Sequence, residues 1–250
     1  MGKRAGVVAA VPVLVAAALA AEVWWAARGP DPADPPPPPW NQPLGPPDGP
    51  GIAVVWLGDS TAAGMGASGV DATLAGQVAQ ALGRPVRVTV LARSGARVAD
   101  VLGCQLPQVA ALEPEEVFLS VGANDAVHLT PRSRFGRDYE RLLAGLPASV
   151  RRVVVLGVPD MGAPRRLAQP LRAMAGWRGR VLDGDVAALA RRHREVAYVD
   201  IAGGAGPAFR RQPRRYFASD RYHPGDAGYR VWASVVAAAL GAAARAAEGA

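Results

Sequence analysis

Beyond residue 51 the chain alternates short, β-branched apolar runs with longer amphipathic stretches. Five such runs predict buried strands, at residues 52–57, 86–91, 116–121, 152–158 and 196–201. Helical periodicity follows them, near residues 72–82, 98–111, 135–146, 182–192 and 226–244. Continuous apolar strands that alternate with helices are typical of a parallel sheet covered on both faces. The sequence therefore predicts an α/β fold with about five parallel strands.

The N-terminal segment has the pattern of a membrane anchor or an export signal. Lys3 and Arg4 precede an uncharged, largely apolar stretch over residues 5–21. A helix over residues 5–27 would be roughly 34 Å long, enough to cross a hydrocarbon core of about 30 Å with its basic end in the cytoplasm. The alternative is a cleaved signal peptide, because residues 18–20 have the small-x-small form of a cleavage site. Both interpretations predict that the rest of the chain is exported.

A proline-rich tract separates this segment from the rest of the chain. Half of residues 29–50 are proline, with five in succession at residues 35–39. Proline has no amide donor, so such a tract predicts an extended spacer rather than a packed core. The expected organisation is an anchor or signal over residues 1–28, a linker over residues 29–50 and one domain over residues 51–250.

Charge and cysteine content narrow the classes of function. The formal net charge is +7, with 28 basic and 21 acidic residues. The basic residues are spread along the chain without an aromatic-interleaved motif, which argues against nucleic-acid binding. Cys104 is the single cysteine, so the chain can form no intramolecular disulfide and offers no cysteine-based metal cluster. We expect Cys104 to be a small buried core residue.

Polar or glycine-bearing turns follow the first three predicted strands. Ser60 comes after the first strand, Gly95 after the second and Asn124 after the third, while Asp220 and His223 precede the last helix. Ligands of open parallel sheets bind outside the carboxyl ends of the strands. We therefore expect these residues to meet at one edge of the sheet.

These residue types are suited to nucleophilic catalysis. A serine hydroxyl needs a base, and His223 lies three residues after Asp220 in a turn fixed by Pro-Gly, so one turn can present base and orienting acid. The backbone N–H groups of Ser60 and Gly95 and the side-chain amide of Asn124 could stabilise an oxyanion. The other two histidines lie elsewhere: one at a helix end where solvation is expected (193), the other after the Asn124 turn in a structural or pocket-lining position (128).

Four blocks together resemble the SGNH (GDSL-type) hydrolase family. They are GDS at residues 58–60, the glycine of RSGAR at residue 95, GAND at residues 122–125 and DRYHP at residues 220–224. The blocks occur in the family's order across nearly all of the predicted domain. Residue 61 is threonine where the name-giving pattern has leucine, which puts assignment to the family's lipases in doubt.

The resemblance implies a flavodoxin-like, three-layer αβα sandwich. The expected reaction requires neither a cofactor nor a metal. It implies Ser60 as nucleophile, His223 as base and Asp220 as its support. It also implies an oxyanion hole formed by Ser60, Gly95 and Asn124. With the export signal, these features predict an exported serine esterase, membrane-bound or secreted. Its expected substrates are acyl esters, O-acetyl or lipid, of the cell envelope or the extracellular space.

Other interpretations stay open from the sequence. The same triad could transfer the acyl group to an envelope carbohydrate, or the domain could bind the envelope without catalysis. A metal-dependent phosphoesterase would use Asp59, Asn124, Asp220 and His223 as ligands, fewer than such sites usually have. An α/β-hydrolase is disfavoured because its nucleophile normally follows several strands, and Ser60 follows the first.

Two stretches near these motifs have less specific interpretations. Residues 159–179 could form a rim or lid over the site or simply a packed helix. The arginine-rich stretch over residues 210–215 could attract an anionic substrate, although a solvated loop is the favoured interpretation. Asp59 and Asp125 are expected to bond to backbone groups in their turns rather than to take part in chemistry.

Overall fold

The computed structural model describes residue 21, residues 39–45 and residues 51–248, with side chains as far as residue 242. In these ranges six strands form one sheet: β1 (Trp40–Leu44), β2 (Ile52–Gly58), β3 (Val86–Val90), β4 (Glu116–Ser120), β5 (Arg152–Leu156) and β6 (Val196–Val199). Their order across the sheet is β1-β3-β2-β4-β5-β6. Strands β2 to β6 are parallel to one another, which confirms the five predicted parallel strands.

The helices in the described ranges follow in chain order. They are α1 (Ser60–Ala63), α2 (Leu74–Leu82), a helical segment α3 over residues 98–112, α4 (Ala123–Val127), α5 (Arg132–Ala144), α6 (Leu171–Ala190), α7 (Ile201–Arg211), α8 (Pro213–Tyr216) and α9 (Asp226–Glu248).

Alternate residues of the central strands pack on opposite faces of the sheet, as a strand's period of two requires. Val54, Trp56 and Phe118 pack with helices α2, α7 and α9 on one face, where the Trp56 and Phe118 rings stack at 4.6 Å. Val55 and Leu57 pack with α3, α5 and α6 on the other face. The sheet therefore lies between two helical layers, which confirms the three-layer sandwich.

Strand β1 corrects the predicted boundary of the proline-rich linker. Trp40–Leu44 pairs antiparallel with β3, with Trp40 opposite Val90 and Leu44 opposite Val86. The side chains of Trp40 and Leu44 are buried in the core, and proline is tolerated in an edge strand because no further strand needs its missing donor. The spacer prediction is therefore wrong for residues 40–44.

Two helices differ from their prediction. Helix α6 begins at Leu171, whereas the periodicity had indicated residue 182. Helix α7 was not predicted, because three glycines and Pro207 give residues 201–211 a low helix propensity. Asp200 compensates in part by capping α7, where its side chain accepts a 2.7 Å hydrogen bond from the Gly203 amide.

Cys104 is exposed, so the expectation that it is buried was wrong. It lies in a π-helical turn of α3, Val101–Gln105, whose buried residues are Val101 and Gln105. The wider turn changes which side chains face the sheet, and Gln105 takes the inward position beside Cys104.

The predicted anchor or signal over residues 1–28 lies outside the described residues apart from residue 21, as does the linker apart from residues 39–45. Across the described residues, no helix has the length and apolarity needed to cross a membrane.

Candidate active site

Strand β2 delivers Ser60 to the carboxyl edge of the sheet. The strands that follow β2 in sequence, β3 and β4, lie on opposite sides of it, and open α/β sheets bind ligands at such a switch point. Gly58 has a φ of 143°, and a Cβ there would overlap the carbonyl oxygen of Ser120. Only glycine fits this approach, and the chain turns directly into α1, whose first residue is Ser60.

The side chain of Asp59 stabilises this turn by accepting hydrogen bonds from Thr61. Its Oδ1 accepts hydrogen bonds from the Thr61 amide at 3.0 Å and the Thr61 hydroxyl at 2.8 Å. The side chain is 2% exposed. Burial raises the pKa of Asp59 to about 6, although the hydrogen bonds from Thr61 and the nearby His223 lower it. Asp59 thus caps α1, in agreement with the expected backbone role.

Gln105 is a site residue that the sequence did not reveal. Its Oε1 accepts a hydrogen bond from the Gly58 amide, and its Nε2 donates one to the Gly58 carbonyl, both at 2.8 Å. The side chain is buried and comes from α3, 47 residues further along the chain. Both backbone polar groups of Gly58, two residues before Ser60, are therefore held in place. A single glutamine in a helix carries no sequence signal of such a contact.

A second turn, over residues 217–225, brings Asp220 and His223 to Ser60. We call it the catalytic turn because it carries these two candidate catalytic residues. The Nε2 atom of His223 lies 3.0 Å from Ser60 Oγ, and its Nδ1 atom lies 2.6 Å from Asp220 Oδ2. Asp220 Oδ1 accepts the backbone N–H groups of Tyr222 at 3.0 Å and His223 at 3.1 Å. The carboxylate orients the imidazole with its proton on Nδ1, which leaves the lone pair of Nε2 facing the serine hydroxyl.

The charge on Asp220 is stabilised although its side chain is fully buried. Burial favours the neutral acid, but the hydrogen bonds from His223 and from the backbone outweigh it, and the pKa of the Asp220 carboxyl is lowered. The guanidinium of Arg166, in the β5–α6 loop (residues 157–170), lies 3.7 Å from Asp220 Oδ2. Asp220 therefore remains ionised at neutral pH and can stabilise an imidazolium.

The β5–α6 loop is tied to the catalytic turn through its backbone as well. The amides of Arg165 and Arg166 donate to the carbonyl of Arg221, at 3.0 and 3.3 Å. Arg221 has a φ of 58°, in the left-handed region that glycine prefers. The stretch 159–179 therefore divides: its first part borders the site, and its second part is the packed helix α6.

Asn124 lies at the same edge of the sheet, in α4 after β4. Its side chain lines the pocket that also contains Ser60 and His223. Its Nδ2 donates a 3.0 Å hydrogen bond to the carbonyl of Ala96, which leaves the second amide hydrogen for another acceptor. Gly95 precedes Ala96 on this exposed loop, has a φ of 79° and does not line the pocket itself.

The pocket beside Ser60 is mostly apolar. It has a volume of about 550 Å³, counting the part open to solvent. Its apolar walls come from the β5–α6 loop, α7, the catalytic turn and α9, and they include Met161, Ile201, Phe209, Phe217 and Trp232. Asp160 is a charged group in the wall, and Arg210 neutralises it through a 2.8 Å bond to Oδ1 and a second bond to Oδ2. Such a pocket suits a hydrocarbon group better than a polar one.

The remaining candidate residues lie away from the reacting groups. His128 is exposed and its Nδ1 atom lies 2.9 Å from the Asn124 carbonyl oxygen, so it is a surface residue of α4. His193 is only partly exposed and lies 3.3 Å from Glu140 and 3.4 Å from Glu195, which corrects the prediction that it is solvated.

The arginine-rich stretch and the proposed metal ligands also have defined places. Residues 210–215 belong to helices α7 and α8 and the junction between them, so the predicted loop is wrong. Among the described residues, no three His, Cys, Asp or Glu side chains form a group that could hold a metal ion. Asp125, expected to bond in its own turn, accepts instead from the Val98 amide at 3.0 Å, and burial raises the pKa of its carboxyl.

Residues 56–231 match the model of the GDSL-like lipase/acylhydrolase family. The chain belongs to this family. The resemblance of the four sequence blocks is thereby confirmed. A GDSL-like esterase of Mycobacterium tuberculosis is 32% identical over 209 residues, which cover 76% of this chain and 62% of that protein. This chain thus spans less than two thirds of the length of that relative.

Solved structures of other hydrolases have a similar fold. The α/β hydrolase LAE5, from the metagenome of Lake Arreo, is 25% identical with a TM-score of 0.59, covering 76% of this chain and 95% of that one. A catalytic mutant of the acetylxylan esterase Axe2 of Geobacillus stearothermophilus is 20% identical with a TM-score of 0.56, covering 78% and 96%. The lipase Lip_vut3, from a goat rumen metagenome, is 18% identical with a TM-score of 0.57, covering 75% and 97%. The last two similarities concern the fold alone.

Proposed function

We propose that this GDSL-family chain is a serine esterase that hydrolyses acyl esters through Ser60, His223 and Asp220. One observation carries the proposal, the continuous hydrogen-bond chain from Ser60 Oγ to His223 at 3.0 Å and from His223 to Asp220 at 2.6 Å. A serine, an imidazole and a buried carboxylate in this order form the arrangement that activates a serine hydroxyl.

The reaction follows from this geometry. Ser60 Oγ attacks the carbonyl carbon of the ester while its proton passes to Nε2 of His223, and Asp220 stabilises the resulting imidazolium. Collapse of the tetrahedral intermediate breaks the bond to the alcohol oxygen, which takes the proton from Nε2. His223 then removes a proton from water, which attacks the acyl-enzyme and releases the carboxylic acid and free Ser60.

The oxyanion of both intermediates needs hydrogen-bond donors. The amide of Ser60 is the first of helix α1, so it has no acceptor within the helix. The second hydrogen of the Asn124 amide is available at the same pocket. We assign the Gly95 amide as the third donor, since its loop is joined to Asn124 through Ala96. These donors would supply the electrostatic stabilisation that acyl transfer requires.

The apolar pocket supports an acyl group as the part of the substrate bound next to Ser60. An acetylxylan esterase and a lipase share this fold, so the fold alone does not select the acyl group. The aromatic rings of Phe209, Phe217 and Trp232 line the pocket, whose volume is about 550 Å³ with the part open to solvent included. We expect short acyl chains to be preferred over long ones.

Two measurements test this function. A fluorophosphonate probe should label the wild-type protein and fail to label folded Ser60→Ala, because the probe reacts only with an activated serine. A p-nitrophenyl ester series from acetate to octanoate should give the highest kcat/KM at the short end. A folded wild-type protein that is neither labelled nor active on any of these esters would refute the proposal. Formation of an acylated sugar in place of free acid, with a carbohydrate acceptor present, would show acyl transfer instead.

We further propose that the enzyme acts outside the cytoplasm, on acyl esters of the cell envelope. The pattern of residues 1–28 supports this, with Lys3 and Arg4 before an uncharged, largely apolar stretch. Protease added to intact spheroplasts should degrade the catalytic domain of the full chain and spare a variant that lacks residues 5–21. Sequencing of the mature N-terminus would distinguish a retained anchor from a cleaved signal. Protection of the wild-type domain in intact spheroplasts would contradict export.

A further inference from the structure

A second groove lies on the outer side of the catalytic turn. It has a volume of about 980 Å³, counting the part open to solvent. Three arginines line it, from three separate segments: Arg165 from the β5–α6 loop, Arg214 from α8 and Arg221 from the catalytic turn. The other lining residues are Pro213, Phe217, Ala218 and Ser219. We call it the arginine groove.

Backbone hydrogen bonds hold these three segments in fixed relation. The Arg165 amide donates to the Arg221 carbonyl at 3.0 Å, and the Arg221 amide donates to the Ala218 carbonyl at 2.9 Å. The Phe217 amide donates to the carbonyl of Pro213, the first residue of the short helix that contains Arg214, at 3.0 Å. The backbone positions of the three arginines are therefore fixed by the protein itself.

Among the described residues, no acidic side chain balances the charge of the groove. No aspartate or glutamate lines it, and in the described part of the chain Arg165, Arg214 and Arg221 have no carboxylate at ion-pairing distance. Elsewhere on the surface, Arg132 binds Asp185 and Arg210 binds Asp160. Guanidinium groups favour bidentate hydrogen bonds to carboxylate and phosphate oxygens, so three unpaired ones in one groove favour an anion.

The arginine groove adjoins the apolar pocket. Phe217 lines both, and the Ala218 amide, in the wall of the groove, donates to the carbonyl of His223 at 2.8 Å. An ester whose acyl group occupied the apolar pocket would direct its alcohol part away from Ser60 toward the surface. A substituent on that alcohol part could then reach the arginines.

We propose that the arginine groove is a subsite for a negatively charged group, a carboxylate or phosphate, on the alcohol part of the ester substrate. This inference rests on the proposed esterase function, and it names anionic esters as the substrate class. The groove would raise the affinity for such esters without taking part in bond breaking.

A selectivity ratio tests the inference. The ratio compares kcat/KM for para-acetoxybenzoate, which carries a carboxylate, with kcat/KM for its neutral methyl ester. In the double variant Arg165→Gln/Arg214→Gln this ratio should fall about tenfold, as expected when two charge-assisted contacts at an exposed site are lost. The ratio of kcat/KM for para-acetoxyphenyl phosphate to kcat/KM for the same neutral methyl ester should also fall in this variant.

The control is Arg137→Gln/Arg141→Gln, which removes two other exposed arginines and the same net charge. The control should leave the ratio as in the wild type, because it changes only the long-range field. Equal ratios in the wild type and the Arg165/Arg214 variant would overturn the proposal, and so would an equal fall in the control.

Titration with inorganic phosphate, followed by NMR, reports on the groove without any turnover. Resonances of the arginine groove should shift in the wild type, and binding should weaken in Arg165→Gln/Arg214→Gln but not in the control. If phosphate binds there while the ester ratio does not change, the groove binds free anions and the substrate proposal is refuted. If the wild type hydrolyses no ester, the proposed esterase function is refuted. If inorganic phosphate also fails to bind, the anion subsite is refuted as well.

Discussion

Replacing Asp59 by asparagine should stabilise the protein at neutral pH and remove part of its pH dependence. Burial raises the pKa of the Asp59 carboxyl from 3.8 to about 6, so the folded state keeps a proton that the unfolded chain releases between these values. The free energy of unfolding therefore falls as the pH rises through this window, and the loss is complete above the folded-state pKa. At about 1.4 kcal/mol per pKa unit, the ionised carboxylate costs about 3 kcal/mol.

Asparagine preserves most of the local hydrogen bonding. Both bonds from Thr61 end on Oδ1 of Asp59, at 3.0 and 2.8 Å, and an amide oxygen can accept both. The new NH₂ group replaces Oδ2, and leaving it without an acceptor costs about 1–3 kcal/mol. We therefore expect a net gain of up to about 2 kcal/mol near pH 8 and no gain near pH 4, where the wild-type carboxyl is already protonated in the folded state.

Urea denaturation across this pH range, followed by circular dichroism, measures the difference directly. Other carboxyls also change ionisation, since the pKa values of Asp125 and Asp183 are raised by burial and that of Asp220 is lowered overall. The contributions of Asp183 and Asp220 cancel in the difference between wild type and Asp59→Asn, whereas the repulsion between Asp125 and Asp59 is part of that difference. The exposed Asp71→Asn serves as the control and should show no such trend. A stability difference between wild type and Asp59→Asn that stays constant from acid to alkaline pH would refute the reasoning.

Three further changes address the proposed active site. Asp220→Asn should lower kcat by about 10⁴-fold in the p-nitrophenyl ester assay, because the imidazole loses its orienting carboxylate; a loss below tenfold would contradict the assignment. Asn124→Ala should lower kcat by about 10²- to 10³-fold with a smaller change in KM; a change in KM alone would argue against an oxyanion role. Gly66→Ala should lower both kcat and the free energy of unfolding, since φ of Gly66 is 92° and a Cβ there would lie 2.5 Å from the Pro224 carbonyl oxygen in the catalytic turn. The control Gly69→Ala should have little effect, because a Cβ at residue 69 meets no atom within 4 Å.

The sequence predicted the sheet well because its five parallel strands are buried on both faces. Strand β2 was expected over residues 52–57 and spans Ile52–Gly58, and β4 was expected over residues 116–121 and spans Glu116–Ser120. The residues that form the hydrogen-bond chain from Ser60 through His223 to Asp220 were singled out for a related reason. Each of them lies in a short sequence block at a strand end or before the last helix. The alternation of predicted strands and helices gives the position of each block.

The features that the sequence did not predict depend on contacts between distant segments, which no local sequence pattern indicates. Strand β1 contains a proline and only two large apolar residues, and it is a strand because β3 offers a free edge. Gln105 and Arg166 belong to an irregular helix and a loop, and their site contacts depend on how those segments pack against β2 and the catalytic turn. Pairings between distant segments of this kind could not be read from one sequence.

The hydrogen-bond chain from Ser60 through His223 to Asp220 joins two turns that are anchored separately. The turn at residues 58–60 is held by the two hydrogen bonds between Gly58 and Gln105, each 2.8 Å, and by the bond from the Asp59 amide to the Ser120 carbonyl at 3.0 Å. The catalytic turn is held from its other side, where two amides of the β5–α6 loop bind the carbonyl of Arg221. None of these anchors touches a substrate in the proposed reaction. Because each turn is fixed before substrate binds, the imidazole and hydroxyl need little reorganisation to react, which is how a preorganised site lowers a barrier. The left-handed conformation of Arg221 fits this view: its local cost is offset by the two hydrogen bonds that its carbonyl accepts from the loop.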